Sequence, residues 1–279
     1  MPEGYLDMGE AEIVERTQGT PATIASISRD LITLGVKPGM VLLVHASLSA
    51  LGWVSGGAVA VIMALEEVLG PQGTLIVPTH SGDLSDPANW QNPPVPEDWW
   101  EIIRETMPAY DPDLTPTRMI GRLPETFRKQ RGVLRSHHPQ VSFAAWGAEA
   151  RKVTDGHTLD FGLGEGSPLA RIYDLDGWVL LLGVGYENNT SLHLAEERAS
   201  YLGKKVITSG APILKEGKRV WVKIRDLNID DSDFRELGES FEREMDCVRL
   251  GKVAQAQCRL MPQRTLVDYA VRWMEKNRA

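Results

Sequence analysis

Between Thr23 and Pro78 the chain alternates segments of helical period with short apolar runs, and this alternation restricts the fold more than any other feature. Ile24, Ile27, Leu31 and Leu34 recur at helical spacing and stop at Gly35, while Val41 to Val44 reads as a short buried strand. A strongly apolar helix follows from Ala58 to Leu69, ended by Gly70-Pro71, and Gly73 to Pro78 is the next strand. A strand-helix-strand rhythm predicts a parallel sheet, in which ligands bind beyond the carboxyl ends of the strands. Those ends are His45-Ala46-Ser47-Leu48-Ser49, Thr79-His80-Ser81 and the turn before His193, so three polar clusters are expected to share one crevice.

With 279 residues, 42% of them hydrophobic, the chain can bury a large core, which predicts one domain over residues 1–279 carrying insertions. A net charge of −8 without a basic stripe argues against nucleic acid as the main partner and suits a cationic substrate. No apolar stretch reaches spanning length, and Met1 to Glu12 has neither the basic region nor the apolar core of a signal peptide. No membrane association and a cytoplasmic location are therefore expected. Cys247 and Cys258 form neither a CxxC pair nor a metal knuckle and read as reduced thiols. A monomer and a homodimer both fit these bounds.

From residue 82 to 116 the rhythm breaks. Trp90, Trp99 and Trp100 are interleaved with prolines, which predicts an ordered insertion packed by its aromatics, with little regular structure, as a wall of the site. Lys204 to Leu214 and Lys218 to Ile224 read as a hairpin turning at Glu216-Gly217. With the acidic run from Asp226 to Asp233 they make up a segment, 204–250, expected to form a substrate-site subdomain. The acidic run lacks the glycine and terminal glutamate of a calcium loop. Leu123 to Gln130 and Arg264 to Lys276 read as helices and Val141 to Trp146 as a strand. Ser167-Pro168 reads as a helix cap and first helical residue rather than part of a phosphate loop.

His193-Leu194-Ala195-Glu196-Glu197 follows a polar turn and the apolar run from Trp178 to Gly185, where a strand hands over to a helix. Residues three apart share a helix face, so Glu196 can hydrogen-bond one ring nitrogen of His193 and leave the other free to take a proton. With Thr190 or Ser191 as the cap, His193 falls in the first turn. The same spacing also suits an ordinary amphipathic helix with a surface His-Glu pair. The six histidines lie at strand ends, turns or in a Gly-rich loop, but no HExxH or HxH pattern organises them around a metal. Ser47 and Ser49 lie in no GxSxG elbow.

Five motifs then occur in order: Val44 to Gly52 (VHASLSALG) with Gly56-Gly57; Val77-Pro78-Thr79-His80-Ser81; Thr117-Arg118-Met119-Ile120-Gly121 with Glu125 and Arg128; Arg135-Ser136-His137-His138-Pro139 with Ser142; and Asn189 to Glu196. In this order and spacing, from about Ile24 to Trp273, the chain resembles the aminoglycoside 3-N-acetyltransferases. The resemblance implies a three-layer α/β/α fold with a central largely parallel or mixed sheet, distinct from the more common acetyltransferase fold. It also implies acetyl-coenzyme A as co-substrate and reaction at the amine on carbon 3 of the 2-deoxystreptamine ring of an aminoglycoside.

Carried over residue by residue, the resemblance makes His193 the general base, Glu196 its orienting partner and Thr79 the hydroxyl beside the reacting carbonyl. Ala46, Ser47, Leu48 and Ser49, with Arg118, Met119 and Ile120, would line the coenzyme channel, and Gly56-Gly57 would offer N–H groups to the pyrophosphate. Ile120, where a small residue is expected, and His80 depart from the pattern. Transfer is expected to be direct, with no acyl-enzyme and no metal. A polyammonium acceptor calls for carboxylates, and Asp83, Glu197, Asp230, Asp231 and Asp233 are the candidates. Relatives in the family acetylate amines outside the antibiotic class, so a non-antibiotic amine is the alternative acceptor. A metal-dependent amidohydrolase using the histidines and a coenzyme A or polyamine-binding module are the alternatives from other classes.

Overall fold

The computed structural model describes residues 9–278. Met1 to Met8, the start of the segment expected to lack a leader, and Ala279 lie outside the described residues. Helices α1 (Glu10–Arg16) and α2 (Ile24–Leu34) lead into β1 (Val41–Ala46), α3 (Gly57–Leu69) and β2 (Thr74–Pro78). After α4 (Trp100–Thr106) and α5 (Arg122–Phe127) come β3 (Leu134–Arg135) and β4 (Phe143–Gly147). Next are α6 (Ala150–Thr154), α7 (Pro168–Asp174), β5 (Trp178–Leu182) and α8 (Ser191–Arg198). The ribbon β6 (Val206–Lys215) and β7 (Lys218–Leu227), then α9 (Phe234–Glu244), β8 (Arg249–Val253), β9 (Ala256–Pro262) and α10 (Gln263–Asn277) complete the order.

Seven strands form one sheet in the order β3-β4-β2-β1-β5-β9-β8. β1 pairs parallel with β2 and β5, and every other pair in this sheet is antiparallel. The sheet is therefore mixed: the predicted parallel unit is its centre, and hairpins extend both edges. Only Ala254 and Gln255 separate β8 from β9, far too few residues for a parallel crossover. Alternation along each strand divides the core. Leu42, Val44, Leu75, Val77, Leu180 and Leu182 pack toward α2, α3 and α5, while Leu43, Ile76, Val179 and Leu181 pack toward α6 to α10.

Local chemistry explains the element boundaries. Thr23 Oγ1 accepts the Ser26 N–H at 3.2 Å and Ser26 Oγ accepts the Thr23 N–H at 2.9 Å, a reciprocal cap that starts α2. Ser167 Oγ caps α7 by accepting the Leu169 N–H at 3.2 Å. At the end of β5, Gly183 has φ +72°, and a Cβ there would lie 2.5 Å from the Ala50 Cβ. A glycine therefore lets the loop after β1 cross the end of β5. The 82–116 insertion holds α4 and two single turns of tighter helix, more regular structure than its prolines suggest. The expected hairpin is present: β6 and β7 pair from Val206↔Leu227 to Lys215↔Lys218 around Glu216 and Gly217, both at positive φ. Helix α9 and the β8-β9 hairpin have no predicted counterpart. The β8 segment is short and half polar, a weak periodic signal.

Candidate active site

β5 and the turn after it deliver α8 to the carboxyl end of the central strands. Thr190 holds the N-cap position, as expected, but its side chain makes no cap bond; Asn189, just before it, accepts the Ser191 N–H on Oδ1 at 3.1 Å. His193 sits in the first turn as expected, with Nδ1 2.9 Å from Glu196 Oε2 and its ring packed 4.9 Å from Phe234. An ionised carboxylate only accepts, so Nδ1 carries a hydrogen, and in the neutral form of the ring the lone pair is on Nε2. Among the described residues none hydrogen-bonds that Nε2. Glu196 is 0% exposed. Its Oε1 accepts from the Asp230 N–H at 2.8 Å, Arg278 Nη1 at 2.8 Å and the Tyr201 hydroxyl at 3.3 Å. Burial pushes this carboxyl up, but the donors, led by His193, outweigh it and hold Glu196 below its ordinary range.

Two further histidines face His193. His45 ends β1 with Nε2 3.4 Å from Thr190 Oγ1, and burial, reinforced by His193, pushes it down to about 3. His80, just past β2, is likewise pushed down to about 3, by burial first and then by His45 and His193. Both rings are therefore neutral at physiological pH. The His80 ring meets Phe143 edge-on at 5.4 Å, and its Nε2 is buried without a partner. The sequence placed His80 in one of the three polar strand-end clusters and as a departure from the family pattern, without a role of its own; in the fold it falls on the Ile76 side of the sheet, the side of α8.

Thr79 takes the other side. It is 0% exposed, and its Oγ1 lies 3.2 Å from both Ser142 Oγ and Arg135 Nε. Arg135 also donates to Thr79 O at 2.7 Å and to the carbonyls of Pro112 and Thr115, so one buried guanidinium staples the insertion to the end of β2. The described interactions of the Thr79 hydroxyl thus lead to Arg135 and not to His193.

The expected coenzyme stretches flank the same strand ends. Ser47 N–H donates to Leu182 O at 3.0 Å, and Ser47 and Ser49 hydroxyls are 3.1 Å apart, with Ala46 to Ala50 half-buried. At the start of α3 the Gly57 N–H donates to Val54 O at 2.9 Å, and Gly56 is at positive φ. Arg118 N–H donates to His80 O at 2.9 Å, and Glu125 accepts from Thr117 and Arg128, which fixes the strap 117–121 beside β2. Met119 adopts φ 56° and is 85% exposed, while Ile120 is half-buried.

The expected acceptor acids separate into two kinds. Asp83 pairs with Arg118 at 2.9 Å, and Asp233 pairs with Arg278 at 2.6 Å. Asp230 accepts the Ser232 N–H at 3.0 Å and lends its own N–H to Glu196, while the Asp231 carbonyl accepts from Phe234. The acidic run is thus a turn that braces Glu196. Glu197 differs: its Oε1 is buried and accepts nothing, and burial, then Asp226, pushes it up to about 7. Asp226 is itself pushed up by burial and lies within the field of His193. Lys204 donates to the Glu197 and Ala199 carbonyls. A surface cavity of about 510 Å³ is lined by Glu165, Tyr173, Arg198, Asp268, Val271 and Arg272, and so by none of His45, His80 or His193. Among the described residues no three His, Cys, Asp or Glu group as metal ligands, and no helix is long and apolar enough to cross a membrane.

The family model described as aminoglycoside 3-N-acetyltransferase matches residues 43–275. The chain is 49% identical over 267 residues to the SPbeta prophage-derived aminoglycoside N(3')-acetyltransferase-like protein YokD of Bacillus subtilis (strain 168), covering 95% of this chain and 97% of that one. The crystal structure of YokD superposes with a TM-score of 0.93 over 96% of this chain and 98% of that chain. Aminoglycoside N(3)-acetyltransferase VII of Streptomyces paromomycinus is 39% identical over 284 residues, 96% of each chain. The solved structures of AAC-IIIb with CoASH and AAC-VIa bound to sisomicin are 32% and 30% identical. Each has a TM-score of 0.83 and covers 93% of this chain, with 98% and 100% of their own covered. Sequence identity and backbone agree over nearly the whole length: the chain belongs to the aminoglycoside 3-N-acetyltransferase family.

Proposed function

We propose that this enzyme moves the acetyl group of acetyl-coenzyme A directly to the 3-amine of the 2-deoxystreptamine ring of an aminoglycoside, with His193 as general base. The observation that carries this reading is the 2.9 Å His193-Glu196 pair, whose other ring nitrogen is left open at the end of the central strands. The acceptor amine is an ammonium ion at neutral pH and has no lone pair to attack with until a proton leaves. His193 Nε2 takes that proton, and Glu196 stabilises the imidazolium through Nδ1. The amine nitrogen then bonds to the thioester carbon, and negative charge develops on the carbonyl oxygen. As the carbon–sulfur bond breaks, the departing thiolate takes that proton from His193; the nitrogen, still carrying two hydrogens, releases the second to the restored neutral ring and from there to solvent, which leaves the neutral amide.

His80, neutral and with an unpaired Nε2, is the donor we assign to the developing oxyanion. Thr79, backed by Arg135, is assigned to hold the strand end in place. CoASH in the AAC-IIIb relative supports acetyl-coenzyme A as co-substrate. Ala46, Ser47, Leu48 and Ser49 with Arg118, Met119 and Ile120 are its proposed lining. Sisomicin in the AAC-VIa relative supports an aminoglycoside acceptor. Glu197 with Asp226 is the proposed ammonium site, between the 82–116 insertion and the 204–250 segment. A smaller amine is the second reading, favoured because Asp83 and Asp233 are already committed to arginines and leave one acidic pair for a cation. The cytoplasm, where acetyl-coenzyme A is available, is the proposed location.

Thiol release from acetyl-coenzyme A across a panel of aminoglycosides and small polyamines decides the acceptor. In the same assay His193→Ala lowers turnover about a hundredfold to ten-thousandfold, while coenzyme affinity measured by calorimetry is kept. Most of the parent rate surviving at saturating acceptor would remove His193 from the mechanism. Mass spectrometry after incubation with acetyl-coenzyme A alone should find no acetylated protein, because direct transfer forms no acyl-enzyme.

A further inference from the structure

We propose that Arg278 is a positioning residue for the His193-Glu196 base, fixing the orientation and charge of Glu196 so that Oε2 stays turned to the imidazole. The proposal rests on the assignment of the base to His193. Arg278 lies beyond residue 275, where the match to the family model ends. Its side chain is 10% exposed and sits at the C-terminal end of α10. Nη1 donates to Glu196 Oε1 at 2.8 Å, while Nε and Nη2 grip Asp233 at 2.7 and 2.6 Å. Nη2 also donates to Asp230 O at 2.7 Å, in the turn whose N–H reaches Glu196. The guanidinium lies over Tyr201 at 5.1 Å and near Phe234 at 5.9 Å, the ring on which His193 packs.

This arrangement has an electrostatic consequence. Glu196 must be ionised to support an imidazolium, yet it is fully buried, and an unpaired buried carboxylate is strongly disfavoured. Arg278 supplies the compensating charge on Oε1 and leaves Oε2 to His193. The other groups facing the pair cannot replace it. His45 and His80 are neutral, Tyr201 is a neutral donor, Asp226, Glu197 and Asp233 are carboxyls, and Lys204, 5.8 Å over the Tyr201 ring, is engaged by the Glu197 and Ala199 carbonyls and makes no bond to Glu196. Without Arg278, the buried Glu196 and the half-buried Asp233 would lose the cation they share. The imidazolium would be favoured, and less of the enzyme would carry a free base at neutral pH.

The test is the pH profile of kcat/KM in two variants. Arg278→Ala is expected to move the acid limb up by about one pH unit and to lower kcat at pH 7 about tenfold, with KM for acetyl-coenzyme A unchanged. Added guanidinium ion should restore part of the loss. Asp233→Asn removes a negative charge instead and should move the limb the opposite way. A residue that merely staples α10 in place would lower the melting temperature and move neither limb, and that outcome overturns the proposal. So does a limb moving the same way in both variants. Should Arg278→Ala fail to fold, Asp233→Asn decides, and an unmoved limb there overturns it. A dead His193→Ala beside a silent Arg278→Ala rejects this proposal alone, whereas an active His193→Ala rejects the base assignment itself.

Discussion

Glu196 and Glu197 are consecutive residues of α8, and their surroundings treat them in opposite ways. A helix turns about 100° per residue, so the two carboxyls leave it in different directions. Glu196 enters a set of donors, His193, Asp230 N–H, Tyr201 and Arg278, and is held below its ordinary range. Glu197 enters a buried region shared with Asp226, keeps one oxygen unpaired and is pushed up to about 7. The first carboxylate is satisfied by the protein and can act on the imidazole. The second keeps an unpaired oxygen, and the field of Lys204 does not outweigh its burial and Asp226, a condition that a bound ammonium group would relieve. The two proposed roles, support of the base and binding of the acceptor, thus separate on one helix by the supply of donors.

The largest expected effect comes from neutralising each carboxyl in turn. Glu196→Gln lowers kcat about a hundredfold, as expected when an acid-base group loses its orienting partner, with little change in acceptor KM. Glu197→Gln does the reverse: kcat stays within about twofold and acceptor KM rises about tenfold, the equivalent of about 1.4 kcal/mol of binding. Steady-state kinetics at saturating acetyl-coenzyme A reads both. Equal losses of kcat in the two variants would erase the division of labour.

Stability against pH sharpens the contrast, because the signs differ. The folded state holds Glu196 below its unfolded value near 4.5, so its contribution is present above that pH and is lost as the pH falls. Replacing it costs about 3 kcal/mol near pH 7, the usual penalty for breaking a buried ion pair, and less near pH 3. Glu197 is raised from 4.5 to about 7, so the folded state keeps a proton that the unfolded chain has released. Stability therefore drains away between about pH 4.5 and 7. Glu197→Gln should gain about 1–2 kcal/mol at pH 8, after a discount for partial exposure, and nothing at pH 4. Urea unfolding at the two pH values measures it, and a loss of stability at pH 8 would contradict the unpaired state of Glu197.

The smallest effect is ionic. Attraction of a polycation to Glu197 and Asp226 is screened over about 8–10 Å at physiological salt, so acceptor KM should rise about two- to threefold from low to physiological ionic strength. Glu197→Gln should flatten that slope. Asp230→Asn with Asp231→Asn should leave it as steep as before, since the Asp230 side chain is bound to its own turn and neither acid joins the buried pair. A flattened slope in that double variant would return the acidic run to the acceptor site.

What the sequence alone determined was whatever depends on neighbours along the chain. Helical spacing in Ile24 to Leu34 and Ala58 to Leu69, with strands at Val41 and Gly73, was sufficient for the parallel centre of the sheet. The three-residue step from His193 to Glu196 was sufficient for their hydrogen bond, because helix geometry enforces it. Family motifs added the family itself, and with it the expected chemistry and co-substrate. Tertiary structure alone decided which groups meet across long stretches of chain. Eighty-two residues separate Glu196 from Arg278, and no local period announces that contact; it exists because α10 packs on α8. Strand parity, visible only once β2 is seated between β1 and β4, turned Thr79 toward Arg135 and His80 toward His193. The acids of the run 226–233 looked alike in sequence, yet folding gave Asp233 to Arg278, Asp230 to its own turn and Asp226 to Glu197. Charge in a sequence is only a count, whereas its use depends on which donors the fold brings within about 3 Å.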